Sequence, residues 1–222
     1  MELFVIIVAG GTGTRMKSKV PKQFMLLNGK PILMHSIQKF ATAIPNTRII
    51  VVIAKPLFKQ WKELCVEYKF NIPHQLTIGG KTRYDSVKQG LKLVPDGCVV
   101  GVHDAARPLV SVKTIRDCVK TAEKKGNAVP FTNINDSLRL YNSATSIAIK
   151  RETLAIIQTP QCFRSDELKK AFKQKYHRSF TDEACVLETM GKNIHLIAGN
   201  RENIKITTHE DLILAETFLK KS

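Results

Sequence analysis

The chain has 222 residues, and its 35 lysines and arginines exceed its 19 acidic residues to give a formal net charge of +16. This length suits one domain with a sizeable core, so we expect a single domain over residues 1–222. No apolar run approaches a membrane span and the N-terminus lacks signal-peptide features, which predicts a cytoplasmic protein with no membrane partner. The five cysteines form no C-x-x-C pair, which argues against a disulfide framework or a zinc site.

The first predicted element is a buried strand, Leu3–Val8, followed by a glycine-rich loop. Three glycines in this loop, Gly10, Gly11 and Gly13, leave backbone N–H groups free to approach an anion. Arg15 and Lys22 follow at short spacing and can point towards the same phosphates. The loop matches neither the P-loop nor the dinucleotide fingerprint, so an ordinary turn remains the structural alternative.

Apolar strands and amphipathic helices alternate along the rest of the chain. We predict strands over Arg48–Ile53, Leu76–Ile78, Cys98–His103, Ala128–Phe131, Asn193–Ile197 and Asn203–Thr207. We predict helices over Met34–Phe40, Pro56–Tyr68, Asp85–Lys92, Val110–Lys125, Asp166–Lys175 and Glu210–Leu219. A further helix opens at Thr181, which we expect to cap it, with Asp182 and Glu183 in its first turn. This order predicts an α/β fold with a Rossmann-like, mostly parallel sheet and helices on both faces.

Charged residues follow or interrupt two of these strands. Asp104 and Arg107 stand at the carboxyl end of a strand, separated by two alanines that would admit a substrate while the charges hold metal and phosphate. An ion pair between Asp104 and Arg107 is the structural alternative, and His103 suits a packed residue at the strand end. Lys205 lies in a run that should otherwise be buried, which indicates a phosphate or carboxylate partner.

A segment at about 132–154 differs from the rest, because polar and apolar residues alternate on both sides of a turn at Tyr141–Thr145. This pattern predicts a protruding two-stranded arm. An isolated hairpin is only marginally stable in water, so we expect the arm to pack on another subunit and form a homodimer.

Several motifs occur in one order along the chain: AGGTGTRM, PKQF, GGKTRYDSV, VHDAARP, QTPQ, TDEA and NIKIT. Together they resemble the 2-C-methyl-D-erythritol 4-phosphate cytidylyltransferases and their sister family, the ribitol-5-phosphate cytidylyltransferases. The resemblance runs from about residue 5 to about residue 215. DAARP and TDEA favour the first family, because the sister more often has valine in place of Ala106 and serine in place of Thr181.

The resemblance implies transfer of CMP from CTP to a sugar-alcohol phosphate, with Mg²⁺ as cofactor and residues of one arm reaching the partner's site. It implies catalytic roles for Arg15, Lys22 and Lys205. It implies CTP contacts at Ala9, Gly10, Gly11, Gly13, Gly80, Arg83, Ser86, Ala105 and Arg107. It places Asp104, Ser137, Arg151 and Thr159 near the second substrate, and Asp104 also near the metal. Lys81 departs from the family pattern, in which an acidic residue is common at this position.

The positive charge leaves one distant alternative, a basic protein that binds nucleic acid. The lysines and arginines are dispersed, without an arginine-rich tract or interleaved aromatic residues, so we expect no specific nucleic-acid partner. An excess of positive charge also favours encounter with small anionic substrates.

Overall fold

The computed structural model describes residues 1–11 and 20–220. Its strands are β1 (Leu3–Val8), β2 (Leu26–Leu27), β3 (Lys30–Pro31), β4 (Arg48–Ile53), β5 (Gln75–Ile78), β6 (Val99–Asp104), β7 (Asn127–Asn133), β8 (Leu138–Tyr141), β9 (Ser146–Ile149), β10 (Ala155–Ile157), β11 (Gln161–Arg164) and β12 (Leu196–Ala198). Its α-helices are α1 (Ile32–Ala43), α2 (Leu57–Glu67), α3 (Arg83–Leu91), α4 (Val112–Lys125), α5 (Ser165–Ala171), α6 (Glu183–Glu188) and α7 (His209–Lys220).

The central sheet has the strand order β10-β7-β11-β6-β1-β4-β5, and β12 pairs with β7 beside this path. Strands β6, β1, β4 and β5 run parallel to one another, whereas β11 is antiparallel to both β6 and β7. The predicted α/β fold with a mostly parallel sheet is therefore confirmed. The parallel strands β1 and β6 lie side by side, which brings the loops after them to the same edge of the sheet.

Alternation along β1 divides the core between the two faces of the sheet, because successive side chains of a strand point to opposite faces. Val5 and Ile7 pack in a cluster with residues of α1, α2 and α4, including the fully buried Trp61. Ile6 packs on the other face with residues of α3, α5 and α6. The helices thus cover both faces, and Trp61 is a core residue.

Several predicted elements differ from the structure, and the strand predicted over Asn193–Ile197 is present only as β12, Leu196–Ala198. Residues 203–207 form no regular strand, and the N–H of Ile206 donates to the carbonyl of Ala106 instead. The helix predicted from Asp166 ends at Ala171, four residues early. Asp182, not Thr181, caps α6, because its carboxylate accepts from the N–H of Cys185.

The arm is present as the antiparallel pair β8 and β9, which form a sheet separate from the central one. Leu140 lies opposite Ile147, and their side chains are 61% and 62% exposed. An exposed apolar pair on a two-stranded ribbon is unfavourable in water, and packing of the arm on another chain stays a prediction. No helix within the described ranges combines the length and apolarity that crossing a bilayer requires.

Candidate functional site

A cavity of about 410 Å³ opens where β1, β5 and β6 end. This is the edge at which open parallel sheets generally bind ligands. Four parts of the chain line this cavity. They are the loop after β1 with Lys22, the segment that begins α3, the end of β6 with the loop after it, and the C-terminal part. The lining residues include Ala9, Gly10, Gly11, Lys22, Gly80, Lys81, Arg83, Ser86, Asp104, Ala105, Ala106 and Lys205. Predicted site residues from distant parts of the sequence thus meet in one cavity.

Close backbone packing shapes the wall between β5 and α3. The N–H of Gly80 donates to the hydroxyl of Ser86, which in turn donates to the carbonyl of Thr82. A methyl group at Gly80 would lie 2.2 Å from Cβ of Asp85, so only glycine fits there without a backbone shift. Thr82 and Asp85 form a capping box that begins α3.

Four alternating charges form a chain along the cavity. The terminal nitrogens of Arg83 donate to both carboxylate oxygens of Glu183, and Nε of Arg83 donates to Oδ1 of Asp104 at 3.1 Å. Oδ2 of Asp104 lies 2.7 Å from Nζ of Lys205. Burial alone would raise the pKa of the Asp104 carboxyl, but Arg83 and Lys205 hold it well below its usual range. Asp104 is therefore ionised at neutral pH.

A second hydrogen-bonded chain fixes the backbone of Asp104 from behind. Burial lowers the pKa of His103 to about 4, so its ring is neutral at pH 7. Nε2 of His103 faces the carbonyl of Arg107 at 3.1 Å and must carry the proton, which leaves Nδ1 to accept from the hydroxyl of Thr159 at 3.1 Å. The same hydroxyl oxygen accepts from the N–H of Asp104 at 3.0 Å. His103 is a packed residue, as expected, and supports the loop through Thr159.

The chain is similar to known proteins over nearly its whole length. The model of the 2-C-methyl-D-erythritol 4-phosphate cytidylyltransferase family, IspD, matches residues 3–221. The chain belongs to this family. Proteins of that name from Porphyromonas gingivalis and Bacteroides thetaiotaomicron are 45% and 43% identical to it, over 97% and 99% of this chain and 97% and 100% of theirs. The crystal structure of the enzyme from Francisella tularensis is 30% identical, with a TM-score of 0.80, and covers 98% of this chain and 99% of that one.

Some residues that the family resemblance singled out lie away from this cavity. Arg107 lines a neighbouring cavity of about 790 Å³, which also contains Lys205. Its Nε lies 3.9 Å from Oδ2 of Asp104, so the ion pair that was the structural alternative is present but long. Thr159 is buried, and its hydroxyl is engaged by Asp104 and His103. Its assignment as a substrate contact stays a prediction.

The remaining predicted residues lie on the arm or outside the described residues. Ser137 and Arg151 are exposed at the base of the arm, where Arg151 bonds to the carbonyl of Asn135 and to Glu152. Neither lines the main cavity of its own chain. Gly13 and Arg15 fall in the segment 12–19, which lies outside the described residues.

Two residues of this cytidylyltransferase-family site were not found as site residues from the sequence. The sequence predicts Glu183 only as an acid in the first turn of a helix, yet it is buried and paired with Arg83. Asn203 is fully buried, and its carbonyl accepts from Nη1 of Arg107 while its amide donates to the carbonyl of Thr159. The TDEA and NIKIT motifs contain both residues, so the resemblance was the available signal.

The cavity offers limited ligands for a metal ion. Asp104 is the one acidic residue that lines it within residues 1–11 and 20–220. Across the same ranges no cluster of three or more His, Cys, Asp or Glu side chains could hold a metal. An ionised carboxylate of this kind fits Mg²⁺ that arrives on a nucleotide, since Mg²⁺ commonly takes one or two carboxylates together with substrate phosphates.

Proposed function

We propose that this chain transfers CMP from CTP to 2-C-methyl-D-erythritol 4-phosphate, giving 4-diphosphocytidyl-2-C-methyl-D-erythritol and pyrophosphate, as the names of its relatives suggest. The observation that carries the proposal is the cavity itself, where the glycine loop after β1 meets Lys22, Lys205 and the ionised Asp104. Cations and free N–H groups at the ends of parallel strands suit a triphosphate.

In the proposed reaction a phosphate oxygen of the second substrate attacks the α-phosphorus of CTP in line. The new O–P bond forms as the bond between the α-phosphorus and the bridging oxygen breaks, and pyrophosphate leaves with that electron pair. The attacking phosphate is already an anion, so no protein nucleophile is needed. Catalysis then depends on positioning and on stabilising negative charge.

The cations have separate roles in this proposal. Lys22, together with Arg15, neutralises charge that grows on the phosphates of CTP. Lys205 orients the attacking phosphate, because it reaches both the main cavity and the neighbouring one. The backbone at Gly80 and the hydroxyl of Ser86 border the place for the cytosine ring.

Mg²⁺ belongs to the proposal as an ion shared between Asp104 and the triphosphate, where it would neutralise phosphate charge. Arg83 and Lys205 keep the carboxylate of Asp104 ionised for that purpose. The cytoplasmic location expected from the sequence is part of the same proposal.

We also propose that the protein acts as a homodimer through its arm. Leu140 and Ile147 expose apolar surface on the arm, and Arg151 and Ser137 do not reach the cavity of their own chain. A partner chain would cover the apolar surface and receive the arm at its neighbouring cavity, where Arg151 would hold the sugar phosphate.

The test of activity is release of pyrophosphate from CTP and MgCl₂, with methylerythritol phosphate and ribitol phosphate supplied in parallel. Release with the first substrate alone supports the proposal. Release with ribitol phosphate alone would assign the chain to the sister activity. No release with either, combined with salt-sensitive binding of nucleic acid, would favour the distant alternative.

The dimer is tested by mixing two inactive variants, R151A and K22A. A mixed dimer carries one site in which both the cavity and the partner's arm are intact. Random exchange makes half of the dimers mixed, so the mixture should recover about a quarter of wild-type activity. Activity no higher than the sum of the separate variants would refute a site shared between subunits.

A further inference from the structure

Glu183 is a buried acid behind the main cavity. It is only 1% exposed, and it does not line the cavity. Its two carboxylate oxygens accept from Nη1 and Nη2 of Arg83 at 2.5 and 3.0 Å. Burying a carboxylate costs several kcal/mol, and a buried ion pair returns little net stability, so fold stability alone is a weak reason for this pair.

The other side of Arg83 faces the catalytic end of the cavity. Nε and Nη2 of Arg83 both lie 3.1 Å from Oδ1 of Asp104. Oδ2 of Asp104 is left to Lys205, at 2.7 Å. Each oxygen of this carboxylate thus has its own cation.

This division depends on Glu183. A guanidinium group binds a carboxylate best through two parallel N–H bonds. Without an acid at position 183, Arg83 could turn its terminal nitrogens to both oxygens of Asp104 and displace Lys205 from Oδ2. Lys205 would then lose the partner that fixes its ammonium group in the cavity.

We propose that Glu183 is a positioning residue for Lys205. By occupying the two terminal nitrogens of Arg83, it restricts Arg83 to Oδ1 of Asp104 and reserves Oδ2 for Lys205. Glu183 acts through two other side chains and touches no substrate. The consequence for turnover rests on the proposed function, in which Lys205 orients the attacking phosphate.

The first test compares E183Q with E188Q, which makes the same chemical change at the other end of α6. Glu188 is exposed and does not line the main cavity. E183Q should lower kcat/KM for methylerythritol phosphate by about 10–100-fold, the usual cost of losing a supporting partner of a site. E188Q should stay within about threefold of wild type.

A double-mutant cycle with K205Q separates positioning from general damage. Among the residues that the structure describes, Arg83 and Asp104 link Glu183 to Lys205, so E183Q should cost less than about threefold in a K205Q background. E183D keeps the charge with a shorter reach and should lose less activity than E183Q. An equal cost of E183Q in both backgrounds, or wild-type activity of E183Q, would overturn the proposal.

A crystal structure of E183Q gives a result that does not depend on activity. We expect Arg83 on both oxygens of Asp104, with Lys205 beyond ion-pair distance. Arg83 unchanged, with Lys205 still on Oδ2, would refute the positioning role. If the wild-type protein releases no pyrophosphate, the proposed function fails, and the crystal structure of E183Q decides the positioning role by itself. If E183Q does not fold, E183D replaces it in the activity measurements and in the crystal structure.

Discussion

Removal of the Thr159 hydroxyl should destabilise the protein, because that hydroxyl supports Asp104 and lines neither the main cavity nor its neighbour. T159V keeps the shape of the side chain but leaves two buried groups without partners, the N–H of Asp104 and Nδ1 of His103. Each unsatisfied buried group costs about 1–3 kcal/mol, so the two together should cost about 2–6 kcal/mol. At about 2–4 °C per kcal/mol for a domain of this size, the melting temperature should fall by about 4–24 °C.

Calorimetry and urea unfolding of T159V measure this loss, with T159S as the matched control. Serine keeps both hydrogen bonds and loses one buried methyl group, which should lower the free energy of unfolding by about 1 kcal/mol. T159V should be less stable than T159S, because the two lost hydrogen bonds cost more than the lost methyl group. If T159V melts within about 2 °C of wild type while its KM for methylerythritol phosphate rises, the hydroxyl contacts substrate and the supporting role is wrong.

Three further predictions concern neighbouring residues. His103 has a folded-state pKa of about 4, below the ordinary value of 6.5, so its stabilising contribution is present above pH 6.5 and lost as the pH falls towards 4. Between pH 7.5 and pH 5 the free energy of unfolding should therefore fall by about 2 kcal/mol more in wild type than in H103Q. Urea titrations at the two pH values measure this fall. An equal fall in both proteins would contradict the neutral buried ring. G80A should lower thermal stability and raise the KM for CTP at least about tenfold, because its methyl group would lie 2.2 Å from Asp85. G10A is the control and should melt like wild type, because the nearest atom to its methyl group lies at 3.5 Å. Equal melting temperatures of G80A and G10A would refute the clash. K22A should keep the wild-type circular dichroism spectrum and lower kcat by at least about a hundredfold, and near-normal turnover would remove Lys22 from the mechanism.

Local patterns predicted most of the sheet, because a continuous apolar run between turn signals is sufficient to mark a buried parallel strand. Leu3–Val8 and Arg48–Ile53 have the predicted bounds. The same rule failed at residues 203–207. Ile206 is buried there, but it packs with α7 and the β2–β3 hairpin while its N–H bonds to Ala106, so no strand ladder forms.

The charged site was predictable residue by residue but not as a network. Asp104 and Arg107 could be predicted because they follow the carboxyl end of an apolar strand, and Lys205 because it interrupts an apolar run. Glu183 lies 100 positions from Arg83, and nothing local distinguishes a buried counter-ion from a cap in the first turn of a helix. Its role depends on which helices the fold brings together, which no short window of sequence contains.

The walls of the main cavity come from separate parts of the chain, residues 8–11, 22–23, 80–86, 104–106 and 205–207. A partly folded chain that lacks any one of these segments has no complete binding place. A nucleotide bound here should therefore stabilise the whole domain at once. At a free nucleotide concentration of a hundred times the dissociation constant, the free energy of unfolding should rise by about 2.7 kcal/mol. Amide hydrogen exchange in its presence should slow across both faces of the sheet, including the distant ends of the strands, rather than at the loops alone.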